Sequence, residues 1–168
     1  MLVLQTLQVD VIKTNYYMKK IYYFMVLMYT IEMFSFVSCN LAPGSYPYAE
    51  QYEIQCEEAD LIMAVKKFKA ENPDYLVPSQ LQIIDGRRDE NDYWYHVYFY
   101  YKNENQLVQT WIRKSSKGKT TFAFVAINES LTLGNWKNIN KDFSNKENKI
   151  QKKKFENLLL NKIKVKIQ

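Results

Sequence analysis

Residues that could support catalysis are few in this chain of 168 residues. The one histidine, His96, lies within a run of aromatic residues, and no serine, cysteine or acid near it in sequence completes a recognised catalytic signature. A zinc site needs a cluster of imidazole or thiolate ligands, and one histidine with a free cysteine is too few. Residues 84–92 place acids beside Arg87 and Arg88, a mixture typical of a solvated loop. We therefore predict no catalytic residue, no metal site and no cofactor.

Residues 93–101 have the chemistry of a binding surface. This stretch is rich in aromatic residues and has the composition of a strand. Alternation along a strand divides it into two faces. The natural core face is Tyr95, Val97, Phe99 and Tyr101. Tyrosine and tryptophan, together with arginine, are favoured at protein interfaces. The predicted partner-binding residues, from the other face and the preceding loop, are Trp94, His96, Tyr98, Tyr100, Arg87 and Arg88. The alternative is that these aromatic residues fill a two-sided core.

The N-terminal part has the order of a bacterial export signal. Two lysines follow Met18, an apolar run covers residues 21–31, and Phe36-Val37-Ser38-Cys39 comes next. The apolar run is shorter than the roughly 20 residues that a membrane-spanning helix needs. Residues 36–39 resemble the lipobox of bacterial lipoproteins, with Phe36 in place of the usual leucine. This resemblance implies that residues 18–38 are a signal peptide and that Cys39 carries the lipid.

This interpretation divides the chain into segments. Residues 1–17 precede the charged start of the signal, and we interpret them as a misassigned upstream start. Residues 39–50 hold prolines and a glycine and are predicted to be a tether, which leaves 51–168 as a single domain.

No acidic cluster follows Cys39. In lipoproteins of the Bacteroidetes such a cluster resembles a surface-export address, so we expect lipid-mediated contact with the periplasmic face of the outer membrane. Without a lipid on Cys39, a disulfide to Cys56 is the rival interpretation.

Charge is distributed unevenly along the chain. The formal net charge is +5, and lysines are concentrated in residues 137–168. A basic end of this kind can bind nucleic acid or anionic lipid, but usually it is the solvated face of a helix. Because a protein of the cell envelope rarely meets nucleic acid, we predict no nucleic-acid partner.

The periodicity of the remaining chain predicts an α+β domain. Residues 57–71 are predicted to form a helix, and residues 80–85 a short strand. Three strands with short turns, at 93–101, 106–113 and 119–127, predict an antiparallel meander. Ser144 to Glu147 forms a capping box that opens the last helix. The apolar side of that helix is predicted to be Ile150, Phe155, Leu158, Leu159 and Ile163. We expect both helices to pack on one face of a three- to four-stranded sheet.

The body of the chain carries a second resemblance. Residues 85–101, 120–144 and 145–163 resemble small lipoproteins of the Bacteroidetes, to which we attach no activity. The sequence therefore predicts a lipid-anchored protein of the cell envelope with a non-enzymatic, protein-binding role. A specific form of this hypothesis is an immunity lipoprotein that neutralises a toxin in the periplasm. The alternatives are an accessory subunit of an envelope assembly, or a small periplasmic hydrolase or ligand-binding protein.

Replacing the predicted lipid-bearing cysteine tests the export hypothesis. Because Cys39 lies outside the predicted domain, Cys39→Ser should abolish lipidation and membrane attachment while the domain remains folded. Incorporation of labelled fatty acid and fractionation of membranes provide the measurement. A variant that still takes up the label would contradict the lipoprotein hypothesis.

Overall fold

The computed structural model describes residues 19–25 and 46–167. The chain divides into two compact units, Met1–Gly44 and Ser45–Gln168. In the first unit, residues 19–25 form an exposed helix. Residues 1–17, most of the predicted signal and Cys39 lie outside the described residues. Among the helices of the described ranges, none is both long enough and apolar enough to cross a membrane.

The second unit is built on a five-stranded antiparallel sheet. The strands are β1 (Glu50–Ile54), β2 (Tyr95–Tyr101), β3 (Gln106–Ser116), β4 (Lys119–Asn128) and β5 (Trp136–Asn138). Their order is β1-β4-β3-β2, and β5 also pairs with β4. Because β1 pairs with residues 120–124 and β5 with residues 126–128, both lie along the same edge of β4. Strands β2, β3 and β4 form the predicted meander.

Two helical segments flank the sheet. Helix α1 covers Glu58–Glu71 and ends before Pro73, which cannot continue a helix. The C-terminal helix consists of α2 (Asn145–Phe155), a π-helical turn (Glu156–Leu160) and α3 (Asn161–Lys164). The predicted capping box is present, since Ser144 and Glu147 bond each other's backbone N–H groups. Short 3₁₀ turns occupy Pro73–Tyr75, Ser79–Leu81 and Lys102–Glu104.

The main core lies between one face of the sheet and the two helices. Phe155 is central, with its ring stacked on Phe124 at a centroid distance of 4.6 Å. The buried residues that the helices contribute are Leu61, Ala64, Val65, Phe68, Phe155, Leu159, Leu160 and Ile163. The strands contribute the predicted face of β2, including Val97, Phe99 and Tyr101. The α+β class, with helices packed on one face of an antiparallel sheet, is therefore confirmed.

The sequence-based prediction differs from the structure in several details. Ile150 is 54% exposed, so its placement in the core was wrong. At about 100° per residue it lies roughly 140° around the helix from Phe155. Residues 80–85 form no strand, because Ser79–Leu81 is a 3₁₀ turn followed by Gln82 with a positive φ of 54°. Strand β5 was not among the predicted strands. Its pairing to β4 is decided by contacts that local sequence does not show.

Truncating Phe155 should destabilise the domain strongly, whereas truncating Ile150 should not. Phe155 is fully buried, and Phe→Ala in a core typically costs about 3–5 kcal/mol. Ile150→Ala, on an exposed site of the same helix, should change the free energy of unfolding by less than about 0.5 kcal/mol. Urea unfolding of both variants measures the difference. Equal effects would mean that the C-terminal helix does not dock on the sheet as described.

Candidate partner-binding surface

The face of the sheet opposite the helices carries a smaller apolar cluster. Its buried members are Trp111, Ala123, Val125 and Ala126. Val125 joins them through a β-bulge, since Gln109 pairs with Ala126 but Thr110 pairs with Phe124. We call this face the second face. The half-buried residues packed against the cluster are Tyr46, Ala49, Trp94 and Trp136.

Residues 46–49 cross the second face, and we call them the strap. The sequence analysis assigned them to the end of the tether, yet Tyr46 and Ala49 pack on the sheet and Glu50 begins β1. The Tyr46 ring lies 5.4 Å from Trp94, 6.1 Å from His96 and 6.2 Å from Trp111. The first two contacts are edge-to-face, the arrangement that ring quadrupoles favour. The strap therefore covers part of the face that was predicted to bind a partner.

Residues 85–94, which we call the arginine loop, lead into β2 and are ordered by Asp92. One Asp92 oxygen accepts the N–H of Arg88 at 3.1 Å, and the other accepts the N–H of Trp94 at 3.0 Å. Gly86 pairs with His96 through two backbone hydrogen bonds of 2.9 Å. Gly86 has a φ of 149°, which favours glycine over other residues. The loop therefore has a defined shape.

His96 and Asp92 form a buried pair beneath the strap. Nε2 of His96 lies 3.0 Å from Oδ2 of Asp92, and their side chains are 3% and 8% exposed. Burial lowers the pKa of His96 below its ordinary value and Arg88 adds to this, whereas Asp92 acts in the opposite direction. Burial alone would raise the pKa of Asp92, but the N–H groups of Trp94 and Arg88, with the imidazole, hold it low. His96 is therefore neutral near pH 7 and donates its Nε2–H to the Asp92 carboxylate.

The structure brings some of the predicted binding residues together and separates others. Trp94, His96 and Arg88 gather around Tyr46, where the Arg88 guanidinium donates a long hydrogen bond of 3.5 Å to the Tyr46 hydroxyl. Tyr98 lies next to Trp136, with ring centroids 6.3 Å apart.

The other two predicted binding residues, Tyr100 and Arg87, make their contacts away from Tyr46. The Tyr100 hydroxyl donates to Asn105 at 2.9 Å, at the end of β2. Arg87 forms an ion pair with Glu58 of α1 and donates to the backbone oxygen of Asp92 at 2.7 Å. These contacts give Tyr100 and Arg87 positioning roles within the fold.

A depression of about 320 Å³ adjoins the arginine loop, and its lining includes Tyr46, Arg88, Asn91, Tyr93 and Trp94. Tyr93 is 72% exposed. Sequence reasoning missed Tyr46 as a site residue because prolines and a glycine surround it, which is the composition of a linker. It placed Tyr93 in the strand, although β2 begins at Tyr95.

Within residues 19–25 and 46–167, no group of three or more histidine, cysteine, aspartate or glutamate side chains is placed to hold a metal ion. Comparison with protein families, with curated proteins and with solved structures found no match to this chain.

The buried His96–Asp92 pair predicts that stability falls as the solution becomes acidic. Because the pKa of His96 is lowered in the fold, the unfolded chain binds the proton first once the pH drops below about 6.5. Stability should then decrease by at most about 1.4 kcal/mol per pH unit. The lowered pKa of Asp92 acts in the same direction at still lower pH.

Urea unfolding between pH 8 and pH 5 measures this dependence, with His96→Gln as the matched variant. The variant should show a flatter dependence in that range because it lacks the titrating imidazole. If the wild-type protein instead became more stable as the pH fell, His96 would be charged in the fold and the assignment of a neutral imidazole would be wrong.

Proposed function

We propose that this protein is a lipid-anchored protein of the cell envelope that binds another protein through the arginine loop. The support for the anchor is the order of charged segment, apolar run and Phe36-Val37-Ser38-Cys39 in the sequence. The support for protein binding comes from the arginine loop, which presents aromatic and arginine side chains on an ordered backbone.

The observation that carries the binding proposal is that Tyr93 and Arg88 line the same depression and are both exposed. The Tyr93 ring is 72% exposed and contacts Trp94 edge-to-face at 6.1 Å. Among the described residues the only hydrogen bond of the Arg88 guanidinium is the one of 3.5 Å to Tyr46, and no carboxylate lies within 4.0 Å of it. Exposed tyrosine and an arginine without a carboxylate partner are the residue types that dominate binding energy at protein interfaces.

The loop is also held in shape before any partner arrives. Its ends are fixed by the Gly86–His96 bridge and by the N–H groups that Asp92 accepts, and Arg87 ties it to Glu58 of α1. A preorganised surface loses less conformational entropy on binding, so more of the contact energy appears as affinity. Trp94 is half-buried between Tyr46 and the apolar cluster, and in this proposal it supports Tyr93 as well as contacting the partner.

Two kinds of protein partner fit this proposal. One is a toxin delivered into the periplasm, which would make the protein an immunity lipoprotein. The other is a resident component of an envelope assembly, which would make it an accessory subunit. Identifying the partner distinguishes them, because a delivered toxin comes from a competing cell and a resident subunit from the same envelope.

Site-specific photo-crosslinking in the producing cells, both alone and in contact with toxin-delivering competitor cells, tests the proposal. The photo-reactive residue p-benzoylphenylalanine replaces Tyr93 in the full-length protein, and a matched sample carries it in place of Met63, which is 68% exposed on α1. We expect a discrete protein adduct from position 93 and none from position 63. Arg88→Glu should reduce the adduct at least about tenfold, as expected for a residue central to an interface.

Lys117→Glu is the control for charge, since it makes the same change in net charge at the exposed turn between β3 and β4. It should leave the adduct unchanged. An adduct that is equally strong in the Arg88→Glu variant, or that comes from position 63 alone, would contradict binding through the arginine loop. Lipidation of Cys39 is tested separately by the uptake of labelled fatty acid.

A further inference from the structure

The lysines of the helices and of the turn that follows them fall into two sets. The first set is paired with carboxylates: Lys69 with Asp85, Lys152 with Glu50 at 3.2 Å, Lys154 with Glu104 at 2.9 Å, and Lys166 with Glu71 of α1. The second set is exposed, and none of its members has a carboxylate within 4.0 Å among the described residues. We call it the cationic surface: Lys66, Lys67, Lys146, Lys149, Lys153, Lys162 and Lys164.

The acids of the helices do not neutralise this surface. Glu58 and Glu71 are in ion pairs with Arg87 and Lys166. Glu147 is bonded to Ser144, and Glu156 accepts a hydrogen bond from Tyr52 at 3.2 Å, but neither partner carries a positive charge that would cancel the carboxylate. With Asp60, exposed at the start of α1, these acids are three against the seven lysines of the cationic surface. The outer side of the helical layer therefore has a strong excess of positive charge.

Exposed apolar side chains lie among these lysines. Met63 is 68% exposed, Ile150 54% and Val165 84%. On α1, Met63 is one helical turn from Lys66 and Lys67, so the three share a face. Met63 and Lys67 also line a depression together with Asp60 and Lys166, which places the turn after α3 beside α1. Lysines interleaved with exposed apolar residues are typical of helices that lie on a lipid surface.

We propose that the cationic surface docks on an anionic lipid bilayer, with the helices lying against the membrane and the second face of the sheet turned away from it. The residue types of the cationic surface favour a lipid bilayer over a protein as its binding partner. Protein interfaces are enriched in arginine and aromatic residues and depleted of lysine, and the exposed set here is composed of lysines. Lysine clusters next to a membrane attachment point are attracted to anionic headgroups.

The length of the predicted tether is compatible with this orientation. This step rests on the proposed lipid anchor at Cys39. Between Cys39 and Tyr46 the chain can extend about 24 Å, at about 3.5 Å per residue. A helix about 10 Å in diameter packed about 10 Å from a sheet puts the second face roughly 15–20 Å from the membrane. The tether can therefore reach the strap while the helices rest on the bilayer.

Vesicle binding by the fragment 45–168 tests the surface independently of any lipid anchor. This compact unit contains all five strands, both helices and both apolar clusters, so it carries everything that its fold requires. The probes are vesicles of phosphatidylethanolamine with phosphatidylglycerol, and matched vesicles with phosphatidylcholine in place of phosphatidylglycerol. We expect binding to the anionic vesicles at least about tenfold tighter than to the neutral ones, and weakening with added salt.

A matched pair of double variants assigns the binding to the helices. Lys149→Gln with Lys153→Gln should weaken binding about 25-fold, since each lysine near an anionic surface contributes about fivefold. Lys117→Gln with Lys141→Gln makes the same change in net charge elsewhere: Lys117 is in the β3–β4 turn, and Lys141 lies over the ring of Tyr48 in the strap. This control should bind as the wild type does, and circular dichroism checks that both variants are folded.

Three results would overturn the proposal. One is equal binding to anionic and neutral vesicles, and another is an equal loss in both double variants. The third is that the cationic surface binds no vesicles but is needed to capture a defined acidic envelope protein. In that case the partner of the cationic surface would be a protein. A failed lipidation test would remove the anchor and leave this measurement unaffected, so the two hypotheses fail separately.

Discussion

The ammonium group of Lys69 holds together the parts of this domain on which its candidate sites depend. It donates to the carboxylate of Asp85 and, at 2.6 Å, to the backbone oxygen of Tyr98, while Asp85 accepts the N–H of Tyr98 at 2.9 Å. Helix α1, the start of the arginine loop and the free edge of β2 thus meet at one charged pair. Burial lowers the pKa of Lys69, whereas the nearby Asp85 carboxylate raises it. The ion pair therefore offsets part of the free-energy cost of burying a charged lysine. Asp85 begins the arginine loop, so the ion pair adds to the contacts that fix the position of that loop.

The same pair protects an edge strand. β2 has a neighbour on one side only, and an unpaired edge invites pairing with another chain. Its outward backbone groups are instead satisfied by Gly86 opposite His96 and by the side chains of Asp85 and Lys69 at Tyr98. The aromatic residues of β2 are therefore presented from a strand whose edge is largely closed. This favours recognition through side chains over recognition by addition of a strand.

The two sides of the sheet carry different chemistry because their coverings differ. Helices rich in lysine cover one side, and their inward lysines neutralise acids of the sheet and its loops, which leaves the outward lysines in excess. A short strap with a single aromatic anchor, Tyr46, covers part of the other side and leaves the arginine loop accessible. This arrangement suits a protein that binds a surface through its helices and a partner through the second face of the sheet. In the function proposed above, the surface is the membrane and the partner is a protein.

Local pattern was enough to predict both helices, strands β2, β3 and β4, and the fold class, but it missed β1 and β5 and placed a strand at 80–85 where there is none. Strand alternation in β2 and the capping box at Ser144 each depend on residues a few positions apart, so they could be read directly. Tertiary structure alone decided that Tyr46 leaves the predicted tether to pack on Trp94, that Lys69 is buried against Asp85, and that Val125 forms a bulge. These features join residues far apart in the chain or depend on the register between strands. The free energy that selects them comes from burial and pairing that exist only once the chain has folded.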